Sequence, residues 1–344
     1  MRVLVTGASG HLARALLPLL AADPAITEII ALDRHPPILA HPRITPRIAD
    51  LATTDPTPHL DGIDTLIHLA FVVLQASADR YRTLTQPPHT QPHPLHRIAS
   101  RLSPTTRATD RAAMRAINLG ATRSLFEAAS RAGTRHIVYS SSVAVYGAWP
   151  DNPVPIPESH PLRPQPGFAY GEDKAAVESW LDRFTLAHPT PRITRLRLHA
   201  IIGPAAQPLV NALATAPLAL RLSPTPPPIQ CLHESDAARA IIAALHARTG
   251  GTYNIAAPTP IPWNAIPRRL TLPLPPAIAE ALHRLAWPFT DALGDPGWLA
   301  GLRHPLIVDT RKAAAELGWH AAHNVASAIT SARHSATSSM RNPE

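Results

Sequence analysis

Cysteine is almost missing from this 344-residue chain: Cys231 stands alone, which excludes a disulfide framework and any thiolate-rich metal site. Lysine is nearly as scarce. Lys174 and Lys312 are the only two, so 30 of the 32 basic residues are arginine. Glycine is sparse too, at 15 residues against 40 prolines, which makes each glycine motif worth reading. No apolar run approaches the ~20 residues of a membrane span, so no membrane partner is expected. Residues 1–22 loosely imitate a secretory leader, but Ser9, His11 and Arg14 interrupt the apolar stretch, and a cytoplasmic protein is expected.

What is present describes a folded domain: 45% of residues are apolar and 16% charged, which excludes a wholly disordered chain. The net charge of +8 is local. Residues 80–135 hold ten arginines and two acids, and ten minus two is the whole excess. Apart from Tyr81 and Phe126 no aromatic side chains interleave that run, so nucleic acid is not expected as a partner.

The chain opens on a short apolar strand, Arg2 to Thr6, followed by Gly7-Ala8-Ser9-Gly10-His11-Leu12-Ala13 and a helical pattern through Leu20. A second strand, Thr27 to Leu32, ends at Asp33. Strand, glycine turn, helix, strand and acid over about 30 residues is the layout of a dinucleotide-binding βαβ unit. Gly7 permits the tight turn, and Gly10 lets backbone approach a pyrophosphate at the helix N-terminus. Asp33 accepts from ribose hydroxyls and repels a 2′-phosphate, which favours NAD over NADP, with Arg34 placed to stack on adenine or meet that phosphate.

Further buried strands are expected at 65–70, 136–141 and 193–202, with helices around 105–132 and 170–187 between them. The expected fold class is α/β, a doubly wound parallel sheet of Rossmann type with a small C-terminal substrate-binding lobe. The nucleotide-binding domain is assigned to 1–203 and 230–256, interrupted at 75–104 by a Pro/His-rich insertion or lid. The lobe is assigned to 204–229 and 257–322, and 323–344 is expected to be a flexible tail. His89, His93 and His96 have metal-like spacing, but Pro92 and Pro94 forbid the helix that would align them, and no metal is expected.

Tyr170-Gly171-Glu172-Asp173-Lys174 is the strongest chemical signal. Tyr and Lys four apart share one helix face, and a nearby cation favours phenolate, making tyrosine a usable acid/base. Lys174 is the only lysine in the first 311 residues of an arginine-rich chain. Arginine, a planar fork, would not replace its compact charge. Ser140-Ser141-Ser142 ends a strand, where a hydroxyl points into the cleft of an open α/β sheet. Asn118 is a polar residue amid an apolar helical stretch. Arg107, Arg111 and Arg115 fall on one stripe with it, and Arg107 and Arg111 are candidates to face an anionic substrate or the cofactor phosphates.

These motifs, together with Asp50-Leu51, His68-Leu69-Ala70, Val143-Ala144-Val145-Tyr146-Gly147, His233-Glu234-Ser235-Asp236 and Tyr253-Asn254, stand in the order of the extended short-chain dehydrogenases/reductases. The chain resembles their NAD-dependent epimerase/dehydratase family. The resemblance implies that Tyr170 is the acid/base, Lys174 holds the nicotinamide ribose, Ser142 bonds the reacting oxygen and Asn118 supports the site. It places Gly7, Ser9, Gly10, His11, Leu12, Asp33, Arg34, Asp50, Leu51, Leu69, Ala70, Tyr170 and Lys174 around NAD, and implies a homodimer through the helices around 105–132 and 170–187. His199 is a further candidate on the substrate side.

The implied activity is hydride transfer to or from a secondary alcohol or ketone, a sugar or nucleotide sugar among the candidates. Three departures bear on substrate. Val143-Ala144 follow Ser142 where the dehydratases carry Asp-Glu. Ala200 stands where the sugar-nucleotide epimerases have Asn. Gln230 lies where an arginine clamps substrate pyrophosphate in many relatives. The alternative class is a non-catalytic NAD(P)-binding sensor or scaffold on the same fold.

Overall fold

The computed structural model describes residues 1–73, 111–216, 218–266, 270–286 and 295–341. The Pro/His-rich insertion expected at 75–104 and Arg107 lie outside these residues.

Seven parallel strands form the main sheet: β1 (Arg2–Thr6), β2 (Glu28–Asp33), β3 (Ile44–Ile48), β4 (Thr65–His68), β5 (His136–Ser142), β6 (Arg192–Leu198) and, late in the chain, β10 (Gly251–Ile255). Their spatial order is β10-β6-β5-β4-β1-β2-β3. The direction of winding reverses between β1 and β4, the place where ligands of open parallel sheets bind.

Strand residues alternate between two cores, as a period of two requires. Val3, Val5, Ile29, Ala31, Val138 and Leu196 meet α1 (His11–Ala22), α5 (Glu234–Ala247) and α7 (Arg311–Leu317) on one face. Leu4, Ile30, Leu66, Ile137, Tyr139 and Ile193 meet α2 (Thr122–Arg131) and α3 (Ala169–Ala187) on the other, where Phe126, Trp180 and Phe184 supply the bulk. The doubly wound sheet expected from the sequence is therefore present.

The structure departs from the sequence reading in several places. β3 was not anticipated. It contains Pro46, which a central strand excludes but an edge strand tolerates, and β3 is the edge. The stretch 193–202, expected as one strand, is two: β6 stops at Leu198, and β7 (Ile201–Ile202) pairs instead with β9 (Leu232–His233). The segment expected as a flexible tail is a helix, α8 (Val325–Arg341), whose Val325, Ala328, Ile329 and Ala332 are buried against Ile202, Cys231 and Ile266. Those four positions recur at helical spacing, and small apolar residues suffice to seat them among polar neighbours.

The smaller lobe is built from α4 (Pro208–Thr215), a two-stranded parallel pair β8 (Leu218–Arg221) and β11 (Leu270–Pro273), α6 (Pro276–Ala286) and a 3₁₀ turn over Pro296–Leu302. Leu222, Ala279 and Leu299 form its small core.

Candidate active site

A large cleft lies over the carboxyl ends of β1, β4, β5 and β6, between the sheet and the lobe. Its volume is about 1170 Å³, and it is lined by Gly7, Gly10, His11, Leu12, Arg34, Leu69, Ser142, Tyr170, Lys174 and His199 among others. Sequence-distant candidates thus meet in one place.

The glycine turn is shaped for close backbone approach. Gly7 has φ +72°, and a Cβ there would lie 2.6 Å from the Ala70 nitrogen. A Cβ on Gly10 would lie 3.0 Å from the Gly7 carbonyl oxygen. Gly10 is the N-cap of α1 and has no side chain to bond the first helical amides, which is the arrangement that receives an anion. Asp33 closes the turn: its carboxylate accepts from the backbone N–H of Ser9 at 3.0 Å and of Arg34 at 2.6 Å. Loop, helix terminus and acid fit a dinucleotide.

His11 and the Asp50-Leu51 pair are held by contacts within the protein. The His11 ring bonds the Ala205 carbonyl at 2.9 Å, tying the glycine turn to the segment after β7. Glu234 holds the same segment from the start of α5 by accepting from the Ala205 N–H at 2.8 Å. Asp50 opens a turn through the N–H of Ala52, and Leu51 packs on the α2/α3 core.

Tyr170 and Lys174 project from the first two turns of α3, under the end of β5. Burial raises the Tyr170 phenol to about 12, and a hydrogen bond with Ser142 works against that rise. Lys174 is fully buried, and burial holds its ammonium well below the usual lysine range, with Glu178 and Asp173 opposing. Its Nζ donates to the Ser140 carbonyl at 2.5 Å and lies 3.6 Å from the centre of the Phe71 ring, but 5.7 Å from that of Tyr170. The sequence reading gave Lys174 the task of lowering the Tyr170 pKa. In the structure Ser142 is the group that opposes burial.

Asn118 sits in a π turn, Ala116–Ala121, that runs into α2. Such turns widen a helix and re-aim a side chain. Its amide clamps Val72, accepting from the backbone N–H at 2.8 Å and donating to the carbonyl at 3.0 Å, and donates to Asp173 at 3.0 Å. Asn118 therefore positions the Phe71-Val72 segment that covers Lys174.

Arg111 is engaged with two acids at the start of α3 and is not among the residues lining the cleft. It grips the buried Asp173 with both terminal nitrogens, at 2.9 and 2.7 Å, and reaches Glu172 at 3.2 Å. The expectation that it faces an anionic substrate is corrected: a buried carboxylate outcompetes solvent for the nearest guanidinium. His199 lines the cleft but has both ring nitrogens committed to backbone. Nδ1 accepts from the Ala200 N–H at 2.8 Å, which leaves Nε2 to donate to the Leu306 carbonyl at 3.0 Å. Burial lowers its pKa to about 4.

A buried network behind the site went unread in the sequence. Glu178, one turn beyond Lys174, pairs with Arg197 of β6 at 2.6 Å and accepts from the Ser141 hydroxyl at 2.5 Å. Arg197 also donates to the Tyr146 hydroxyl, which donates in turn to Asn254 at 2.8 Å. The i+4 spacing of Tyr170, Lys174 and Glu178 was the available signal. His233, Asp236 and His323 cluster closely enough for a cation, but Asp236 already accepts from the backbone N–H of Ala322 and His323, from the His323 ring and from Arg239. The cluster serves as a clamp between α5 and the segment leading to α8.

A parallel sheet wound on both faces and a glycine turn closed by an acid, with Ser142, Tyr170 and Lys174 at the end of β5, define a dinucleotide-binding fold of Rossmann type. The sequence model of the NAD dependent epimerase/dehydratase family matches residues 3–256, and the chain belongs to that family. It is 27% identical over 323 residues to an uncharacterised protein of Mycobacterium tuberculosis, covering 92% of this chain and 79% of the relative. Among solved structures, it is similar to the UDP-glucuronic acid 4-epimerase of Bacillus cereus in complex with UDP-glucuronic acid and NAD, at TM-score 0.69 and 17% identity, covering 98% of this chain and 99% of that one. A short-chain dehydrogenase/reductase superfamily protein of Agrobacterium tumefaciens with bound NAD matches at TM-score 0.66 and 19% identity, over 99% and 100% of the two chains. Among the described residues no helix is long and apolar enough to cross a membrane.

Proposed function

We propose that this enzyme moves hydride to or from the carbon of a secondary alcohol or ketone, as an NAD-linked oxidoreductase or epimerase, with Tyr170 as its acid/base. The observation that carries the reading is the placement of Tyr170, half-buried at the wall of the cleft with Ser142 and the glycine turn, on the helix stripe of Lys174. Bound NAD supplies the hydride donor or acceptor. Gly7, Gly10 and the first amides of α1 would receive its pyrophosphate, Asp33 a ribose, and Lys174 the ribose next to the reacting ring.

Ser142 and Tyr170 together hold the substrate oxygen. With its pKa near 12, Tyr170 is protonated at neutral pH, ready to give its proton to a carbonyl oxygen. In the opposite direction it takes the proton from the alcohol. Phe71 and Phe168, with ring centres 5.5 and 5.7 Å from that of Tyr170, set apolar surface beside this transfer. Residues 1–203 and 230–256 serve the nucleotide, 204–229 and 257–322 the substrate, and the homodimer through the helices around 105–132 and 170–187 belongs to the same reading.

Replacing Tyr170 with Phe removes the proton and keeps the ring. The expected result is a loss of roughly 10²–10⁴ in kcat, with NAD affinity, measured by fluorescence titration, within about twofold of wild type. NAD binding without any Tyr170-dependent turnover would instead describe a binding protein.

A further inference from the structure

Resting on that reading of the cleft, we propose that its second ligand is a neutral molecule with a mainly apolar body and a hydroxyl or carbonyl at one end, and not a nucleotide sugar. The lobe side of the cleft is walled by Leu220, Leu274, Ala279, Trp298, Leu299 and Leu302. Around the reacting end, the Phe168 ring packs edge-on against Trp298 at 5.2 Å and beside Tyr170, so the substrate oxygen is reached past aromatic carbon.

Charge points the same way. Among the described residues of the wall the cationic side chains are Arg34, next to Asp33, and Lys174, under Tyr170, and both belong to the nucleotide half. Glu234, the one acid among the described residues of the wall, accepts from the Ala205 N–H. A nucleotide diphosphate would carry two negative charges against a lobe wall whose described residues include no arginine or lysine, which is strongly unfavourable.

Polar atoms for sugar hydroxyls are also few. Gln165 donates to the Ala148 carbonyl, His199 has both ring nitrogens on backbone, and Gln230 bonds Ala257 and Val308. Ser142 and Tyr170 offer one hydroxylic corner for one ligand oxygen, and His283, His304 and Gln207 add only scattered polar points to the wall. The volume, about 1170 Å³, exceeds the roughly 300–1,000 Å³ of an ordinary single-ligand pocket, so a dinucleotide leaves space for a sizeable apolar body.

The test is calorimetric titration of the NAD-loaded protein with a series of straight-chain methyl ketones from 2-butanone to 2-undecanone, with UDP and UDP-glucose as comparators. The dissociation constant should fall about fourfold per added methylene over several carbons, and neither UDP nor UDP-glucose should displace 2-undecanone at millimolar concentration. Leu220→Asp should weaken ketone binding about tenfold or more and leave NAD affinity unchanged. A series independent of chain length, or UDP-glucose binding more tightly than the longest ketone, overturns the inference. NADH oxidation measured alongside separates the two readings. Chain-length-dependent binding without Tyr170-dependent oxidation supports the ligand class and sinks the hydride reading. Tyr170-dependent turnover of UDP-glucose does the reverse.

Discussion

At the scale of single residues, partners decide what a charge does. Arg111 looked like a substrate-facing cation because it lies on the stripe of Asn118. It is instead the principal partner of Asp173, whose side chain is fully buried, while Arg111 is itself only 24% exposed. Arg111→Gln should therefore lower stability by about 3 kcal/mol, the lower end for removing one partner of a buried pair, and leave KM within about twofold. Denaturant unfolding with steady-state kinetics checks this; a many-fold rise in KM at unchanged stability would restore the substrate-facing role. Gly7 is constrained twice over, by a positive φ and by Ala70 behind it. Gly7→Ala should cost about 1–3 kcal/mol of stability through backbone strain and weaken NAD binding, seen as a right-shifted NAD titration.

Helix α3 shows the same principle at the scale of an element. One face of it carries Tyr170, Lys174 and the buried Glu178 that salt-bridges Arg197. Glu178→Gln strands Arg197, 95% buried, without a countercharge. The expected cost is about 3–5 kcal/mol, read as a lower midpoint in urea. Helix α8 was expected as a flexible tail because Ser, Thr and Arg dominate its composition. Its apolar positions recur at helical spacing, and only the hydrophobic patch around Ile202, Cys231 and Ile266 shows that they are used. Ile329→Ala should cost about 2–5 kcal/mol, as large-to-small core changes do; an unchanged unfolding midpoint would contradict that packing.

The whole molecule carries an acid sensitivity that no single element shows. Burial lowers His68 to about 3, and His136 and His199 to about 4. Each folded value lies below the unfolded value near 6.5, so the unfolded chain binds more protons once pH drops beneath it. The stability these neutral imidazoles contribute is complete above about pH 6.5 and is lost as pH falls toward 4. At pH 5 each would have given up about 2 kcal/mol, from roughly 1.4 kcal/mol per pH unit. Unfolding midpoints measured between pH 7 and 4.5 should fall steeply over that interval; a flat profile would contradict it.

The sequence alone determined the nucleotide half. Gly7, Gly10 and Asp33 lie within one βαβ unit, and Tyr170 and Lys174 within one helical turn, so local geometry converts their spacing directly into proximity. Ser142 was legible for a related reason, since the carboxyl end of a parallel strand faces the cleft wherever that strand sits. Pro46 hid β3, because a proline is read as a strand breaker until the strand is known to be an edge. The tertiary structure alone decided which arginine finds which acid and what lines the substrate side. Asp173 lies 62 residues from Arg111, and the apolar wall is assembled from segments spread between Leu220 and Leu302. Burial and pairing at such separations depend on how the lobe folds back over the sheet, and no local spacing encodes that.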